Sequence, residues 1–168
     1  EFGDRFFTTQ NLEDANFTTY LPISEEAQTE LEQEFNVHLE PQYFNNIETN
    51  GVTARVFRKT EEINLYGITE GQDISDNDEV IISEGYAVFN KVSIGDKIQI
   101  GEKEYTVTGF FQRPDYLYML QNEDDSYKNV TTFFLAYVTD EEYEQIGGEN
   151  CLYLIRYTKD NKTEFRKA

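Results

Sequence analysis

Hydrophobic positions recur with helical spacing in one early segment of the chain. Ala27, Leu31 and Phe35 follow one another at every fourth residue, which is the spacing of one face of an α-helix. Ser24 precedes the run and can accept a hydrogen bond from a free N–H group of the first turn, where two glutamates suit the positive end of the helix dipole. The pattern predicts a helix that begins after Ser24, buries this stripe and ends near Asn36.

Shorter apolar runs bounded by turn residues predict strands along the rest of the chain. The predicted strands cover residues 37–44, 53–68, 79–83, 132–138 and 151–158. Asn50-Gly51 offers the turn chemistry of a tight connection between the first two. The 53–68 run has a polar middle, and there we expect the chain to leave one subdomain for another.

A β-hairpin is predicted around Gly101-Glu102, which lies between the alternating runs 96–100 and 103–108. A type II′ turn requires glycine at its first central position. In this register Ile98 faces Tyr105, and the apolar side chains of the two strands share one side of the ribbon. We therefore expect one buried and one exposed side.

A second helix is predicted after the run at 132–138. Thr139 and Glu142 form a capping box, in which each side chain satisfies the other residue's backbone N–H. Gly147-Gly148 predicts the end of this helix. Residues 1–20 carry aromatic side chains without clean periodicity and predict a strand or an arm, and residues 122–126 predict an acidic loop.

The order of these elements predicts an α+β fold in two parts. Helix–strand–strand and strand–helix–strand segments flank a glycine-punctuated β-rich stretch. We assign residues 1–63 and 130–168 to an outer α+β subdomain that is discontinuous in sequence, and residues 64–129 to an inserted small β subdomain.

Charge narrows the range of partners. The chain has 33 Asp and Glu against 14 Lys and Arg, a formal net charge of -19, so a polyanion would meet a repulsive field. Its densest cationic stretch, 55–59, is flanked by acids, and we expect neither nucleic acid nor anionic lipid as a partner. The 12 Tyr and 13 Phe supply the large apolar side chains that disordered segments lack.

The residues that commonly carry catalysis are sparse. The single histidine, His38, falls in a predicted strand, and the single cysteine, Cys151, begins an apolar strand. A nucleophile needs a base beside it, and no motif joins these two, so we interpret both as structural. No glycine-rich phosphate loop is present, and carboxylate pairs are uninformative in so acidic a chain. We expect no catalytic residue and no cofactor.

One segment has the oxygen side chains of a calcium loop. Asp73, Ser75, Asn77 and Glu84 match positions one, three, five and twelve of an EF-hand. Asp78, however, occupies the position where the sharp turn needs glycine, and the next residues predict a strand. Because the motif fails at its most demanding position, we assign no metal site.

The segment that follows the hairpin is unusual for a surface. Proline fixes its backbone, and several large side chains lie close together. Two alternatives remain open, an exposed loop that contacts a partner and a segment folded over the core. The candidate contact residues are Arg113, Pro114, Asp115, Tyr116 and Tyr118.

Four segments in the middle of the chain follow one another in a recognisable order. They are Asn64–Ile68, Glu79–Ala87, Val92–Ile98 and Tyr105–Phe110. In this order, over about residues 60–120, they resemble the periplasmic-core region of FtsX/MacB-like ABC-transporter permeases. The most diagnostic part is the spacing from the Gly95-Asp96 turn to Val107-Thr108-Gly109. The Arg113 segment is similar to one that large FtsX-like permeases of Gram-positive bacteria carry.

The resemblance implies a porter-like outer subdomain around the small β subdomain, at the extracellular face of the cell membrane. It also implies a domain between two transmembrane helices, a separate cytoplasmic ATPase subunit and a permease dimer. An export substrate or an extracellular protein would be the partner, and no catalytic residue is carried over from the family. Residues 1 and 168 should then lie close together.

Two other functions stay open from the residues alone. The aromatic content and acidic surface suit a secreted module that binds glycan or peptide, or serves in adhesion. A carboxylate hydrolase would require a cleft that holds two acids of separated pKa values.

Overall fold

A computed structural model describes residues 9–19, 21–116, 131–147 and 150–158. Within these ranges the chain forms nine strands and three helices. The helices are α1 (Glu25–Phe35), α2 (Glu84–Asn90) and α3 (Asp140–Ile146). The strands are β1 (Ala15–Thr18), β2 (Val37–Thr49), β3 (Val52–Phe57), β4 (Gly67–Gly71), β5 (Glu79–Ser83), β6 (Lys97–Ile100), β7 (Lys103–Gln112), β8 (Phe133–Tyr137) and β9 (Asn150–Tyr157).

All nine strands belong to one mixed sheet. The order across the sheet is β1-β9-β2-β3-β8-β5-β7-β4, and β6 pairs with the part of β7 that β4 leaves free. The pairs β3–β8 and β5–β7 are parallel, and the remaining pairs are antiparallel. The predicted α+β class is confirmed.

The central strands are buried on both faces. On the first face, Val80, Ile82 and Ala136 pack with Tyr86 of α2 and Tyr143 of α3. On the second face, the alternate residues of β5 and β8 pack with aromatic side chains from the ends of β3 and β7. A strand buried on both faces carries a continuous apolar run, and this explains the apolar sequences at 80–82 and 133–137.

Helix α1 confirms its predicted limits but not its predicted burial. The Ser24 hydroxyl accepts a hydrogen bond from Ala27 N (3.2 Å), and Asn36 ends the helix in the left-handed conformation. Ala27 and Leu31 are only partly buried, and Phe35 is 42% exposed. The expected buried stripe was wrong because α1 packs beside β2 near one edge of the sheet, where little core covers it.

The prediction of one long strand over 53–68 was wrong. β3 ends at Phe57 and β4 begins at Gly67, and we call residues 58–66 the connector. The Glu40 carboxylate accepts hydrogen bonds from the backbone N–H groups of residues 61–63, the shortest of them 2.6 Å. These bonds take the place of a strand partner and turn the chain away from the sheet. The polar middle of the predicted strand does mark a break. At this break the chain leaves the sheet.

Both predicted turns are confirmed. Asn50 and Gly51 have φ angles of 53° and 81°, the positive values of a type I′ turn. In the second hairpin Ile98 pairs with Tyr105, and Gly101 has a φ of 64°. Tyr105 is buried and the facing strand alternates between exposed and covered residues, as the predicted register requires.

The capping box of α3 forms only in part. Thr139 accepts a hydrogen bond from Glu142 N (3.2 Å), and the helix ends at Gly147 as predicted. The Glu142 carboxylate does not return this bond. It accepts from Lys103 Nζ (2.9 Å) and from the Tyr105 hydroxyl (2.7 Å), because the side chain is buried against β7 and meets stronger donors there.

The strands of the predicted small β subdomain and those of the predicted outer subdomain occupy different parts of the sheet. β4 to β7 lie together at one end, and they meet the other strands at β8, where two residue pairs join β5 to β8. The core nevertheless continues across this junction. The division at residues 63/64 and 129/130 stays a prediction, and residues 1, 168 and 122–126 lie outside the described ranges. Among the described residues, no helix is long and apolar enough to cross a membrane.

Candidate functional site

Arg113 follows the last residue of β7 and lies on the second face of the sheet, 2% exposed. Its Nε and Nη2 atoms donate to the two carboxylate oxygens of Asp115 (2.9 and 2.7 Å), and Nη1 donates to the Tyr137 hydroxyl (2.8 Å). Each guanidinium nitrogen therefore has a hydrogen-bond acceptor. A fork-like bond to one carboxylate is the strongest arrangement open to arginine.

Aromatic rings enclose this ion pair. The guanidinium carbon of Arg113 lies 4.2 Å from the centre of the Phe57 ring and 5.4 Å from that of Tyr116. Tyr66 and Tyr137 have their ring centres 4.5 Å apart. These contacts define the junction cluster, which consists of Phe57, Tyr66, Phe111, Arg113, Asp115, Tyr116 and Tyr137.

The electrostatics of the junction cluster keep Arg113 charged. Burial is the largest single influence and lowers the pKa of Arg113, but Asp115 and the neighbouring tyrosines together outweigh it and raise that pKa above its ordinary value. Burial also raises the pKa of Tyr137, so its hydroxyl stays neutral and serves as an acceptor. The cluster is a paired charge inside an apolar shell, which supports structure and offers no proton at neutral pH.

The structure places the first four residues of the predicted contact segment against the core. Arg113 and Pro114 are buried, and Asp115 and Tyr116 are partly buried, so residues 113–116 fold over the core. Tyr118 lies outside the described residues. Contact between this segment and a partner stays a prediction, although the first four residues serve the core in this conformation.

Tyr116 ties the segment to the neighbouring strand. Its hydroxyl accepts a hydrogen bond from Arg55 Nη1 (2.7 Å), and Arg55 Nε donates to Asn46 (2.8 Å). Arg55 also lies over the rings of Phe44 and Phe133. The 55–59 stretch, the densest cationic part of the sequence, is therefore engaged at its first residue in holding the segment down.

A groove opens between α2 and the junction cluster, with a volume of about 350 Å³. Phe111 and Leu135 form its floor, and Val88 and Phe89 of α2 stand at its rim, 72% and 61% exposed. Glu84 supplies a charge on the same rim. Exposed apolar residues beside a concave surface are typical of contact sites, and the sequence pattern did not single out this helix.

A second, more polar pocket of about 590 Å³ lies beside the connector. Tyr66 donates a hydrogen bond from its hydroxyl to Asp73 (2.8 Å), and Lys59 Nζ lies 3.6 Å from the same carboxylate. Burial and the Asp73 contact raise the pKa of Tyr66. Asp140 also lines this pocket. The polar groups suit a polar ligand, but Tyr66, Lys59 and Asp73 are already bonded to one another.

The structure does not bring His38 and Cys151 together. His38 pairs in register with Arg156, whereas Cys151 pairs with Tyr43 five positions along β2. His38 lies between the carboxylates of Glu32 (3.2 Å) and Glu62 (3.0 Å). Burial raises the pKa of Cys151, which makes its thiol less reactive.

The residues of the calcium-loop pattern bond to different partners. Asp73 accepts from Tyr66, Ser75 bonds to the Glu79 carboxylate (2.9 Å), Asn77 bonds to Thr139, and Glu84 bonds to Gln112. The loop is closed by Glu79, whose pKa is lowered by hydrogen bonds from Ser75. Over the described ranges, no group of three or more histidine, cysteine or acidic side chains is placed to hold a metal ion.

The carboxylate pair of greatest interest is Glu13 with Asp115. Burial raises the pKa of Glu13, and the nearby Asp115 adds to this effect. Neither residue lines the groove or the polar pocket. This pair therefore does not supply the two acids in a cleft that the hydrolase hypothesis needs.

Several residues of the junction cluster could not be found from the sequence. Phe57, Tyr66 and Tyr137 are distant from Arg113 along the chain, and no motif links them. The local signal was at Arg113 itself, a charged residue that directly precedes a proline and lies two positions after a pair of phenylalanines. That pattern indicates an arginine held in apolar surroundings, but it does not reveal the partners that tertiary folding supplies.

Comparison with known proteins adds no relative to this picture, since the chain matches no protein-family model and no curated protein.

Proposed function

We propose that this chain is the extracellular domain of an FtsX/MacB-like ABC-transporter permease, and that it acts in substrate export or in mechanotransmission to an extracellular partner. In this proposal the domain is not catalytic. ATP is hydrolysed by a separate cytoplasmic subunit, and the remaining partners are the transmembrane part of the permease and a second permease copy.

One observation carries the proposal: the incoming and outgoing parts of the chain lie side by side. β1 and β9 are antiparallel neighbours at one edge of the sheet, with Ala15 opposite Ile155. The Asp14 carboxylate accepts a hydrogen bond from Tyr157 N (3.0 Å). A domain inserted between two membrane helices needs its two connections on the same side, and this arrangement meets that need.

The motif that carried the resemblance also has a physical basis. Gly95 N donates to Val107 O (2.8 Å), and Val107 N donates to Asp96 O (2.9 Å), so the Gly-Asp turn is bonded directly to β7. A Cβ atom on Gly109 would lie 2.3 Å from Gln72 O, a distance that no side chain tolerates. The spacing between the two motifs is thus required by packing. A porter-like arrangement of the outer strands is proposed from the family pattern alone.

Labelling of intact cells tests the proposal. In the full-length product, C151S removes the native thiol and E102C places a new one on the exposed tip of the second hairpin. We expect E102C to react with a membrane-impermeant maleimide on intact cells and the product to sediment with membranes. V107C, at a buried position of the same hairpin, is the matched control and should react only after denaturation.

Two results would contradict the permease assignment. Labelling of E102C only after cell lysis would place the domain inside the cell. Recovery of the labelled product from the medium, free of membranes, would favour the second candidate, a secreted binding or adhesion module. The groove beside the exposed Val88 and Phe89 is the observation that favours that candidate.

A further inference from the structure

A short segment before β1 fastens the incoming chain to two other elements. We call residues 10–14 the strap. Its backbone accepts hydrogen bonds from Asn64 N (3.0 Å, to Asn11 O) and from Leu65 N (2.9 Å, to Gln10 O) of the connector. At its other end Asp14 N donates to Ile155 O of β9 (2.8 Å). The strap therefore joins the connector to the outgoing strand.

The contact between strap and connector is incompletely bonded. Glu13 N donates to the Asn64 side-chain carbonyl (2.9 Å), yet the amide nitrogen of the same side chain has no hydrogen-bond partner. Glu13 Oε2 and Gln10 Oε1 are also buried without a partner. Buried polar atoms without partners cost free energy. This cost opposes the bonds that dock the strap, among them those from the Asn11 side chain to Glu62 O and from Arg156 to Leu12 O.

Glu13 is the charged group at this contact. The charged groups that face it are Asp115, which repels its ionised form, and Arg113, which attracts it from its bonded position on Asp115. Asn16 donates one hydrogen bond to Glu13 Oε1 (2.9 Å), and both Asn16 and the nearby Asn64 side chain favour the ionised form. Burial is the largest influence and raises the pKa of Glu13 above the ordinary value of a glutamate.

We propose that the strap is a proton-operated latch, docked on the connector when Glu13 is protonated and loosened when Glu13 is ionised. Protonation removes the cost of burying a charge beside Asp115. Between the ordinary pKa and the raised one, the docked strap holds a proton that the released strap loses. Docking therefore weakens as pH rises through this window.

The latch does not rest on the proposed permease function. In a permease, the strap would lie between the domain and the preceding membrane helix, so its release would uncouple the two, and that consequence alone rests on the proposed function. The experiment below uses the chain in solution. A failure of the latch would leave the cell-labelling result unaffected, and the reverse also holds.

Amide hydrogen exchange tests the latch directly. The amides of Asn64 and Leu65 donate to the strap, and the amide of Val107 reports on the core. Protection factors, corrected for intrinsic exchange, would be measured from pH 4 to pH 8. Within the window we expect protection of the two connector amides to fall by about tenfold for each pH unit, while protection of Val107 stays constant.

Two variants complete the experiment. In Glu13→Gln the two connector amides should keep one protection factor across the pH range. Glu26→Gln, which changes an exposed glutamate of α1, should behave as the unaltered chain. The latch is excluded if connector protection does not change with pH, if Glu13→Gln retains the full pH dependence, or if Val107 loses protection in parallel.

Discussion

Arg113 in the junction cluster and Glu13 in the strap are both charged residues removed from water, but they differ in how completely they are hydrogen-bonded. All three nitrogens of Arg113 have acceptors, whereas one Glu13 oxygen is buried with no donor. Asp115 stabilises the first and repels the second. The difference teaches that burial makes a charge structural when every polar atom is paired, and responsive to pH when some are not.

The largest expected effect comes from removing the paired charge. R113M leaves the Asp115 carboxylate and the Tyr137 hydroxyl without their donors, and we expect the free energy of unfolding to fall by about 3–5 kcal/mol. Urea denaturation at neutral pH measures it. R58M is the matched control, because Arg58 pairs with Glu144 on the surface (3.2 Å), where a pair contributes less than about 1 kcal/mol.

The double variant R113M/D115L sharpens this prediction. With both charges gone, the site becomes apolar, so the double variant should lose less stability than R113M alone. If R113M cost no more than R58M, or if the two substitutions at the cluster were additive, the ion pair would not be the element that stabilises this face.

A smaller loss of stability is expected from removing the neutral acceptor of Arg113, the Tyr137 hydroxyl. Y137F removes the hydroxyl that Arg113 Nη1 bonds, and we expect a loss of about 1–2 kcal/mol in thermal or chemical denaturation. Y143F is its control. The Tyr143 hydroxyl is buried without a partner and burial raises the pKa of Tyr143 to about 12, so its removal should leave stability unchanged or raise it. Equal losses from the two variants would show that hydrogen-bond pairing is not what distinguishes them.

The smallest expected effect is a gain in stability. E13Q removes the charge that the strap buries, so we expect a gain of about 0.5–1 kcal/mol at neutral pH. The folded Glu13 has a raised pKa, so the unaltered chain loses stability as pH rises from the ordinary value of 4.5, and the gain from E13Q should vanish below that value. Denaturation curves at several pH values measure it. A gain that persisted in acid would point to packing, not charge.

Local chemistry was predictable where neighbours along the chain decide the conformation. Ser24 capped α1, Asn50-Gly51 formed its turn, and Gly101 set the register of Ile98 on Tyr105, because turns and caps depend on bonds within a few residues. The strand over 53–68 failed for the opposite reason. Glu40, about twenty residues earlier, binds the backbone of the connector, and no local pattern announces such a bond.

The candidate site was also only partly predictable from the sequence. The unusual character of residues 113–116 was visible in the sequence, since a proline-bound arginine among aromatic residues is rare on a surface. Its role was not visible, because Phe57 and Tyr137 reach Arg113 only after β3 and β8 have paired in parallel. No sequence pattern distinguished Glu13 from the other acidic residues, since the chain has 33 of them.

By itself, the sequence determined the α+β class, the acidic character, most helix and strand limits and the ordered motifs from which the permease function is proposed. Each of these depends on residue type and spacing. Only the tertiary structure decided which charges are buried, which donors meet them and that the incoming and outgoing strands lie together. Those properties depend on contacts between residues far apart in the chain, and such contacts exist only once the sheet has formed.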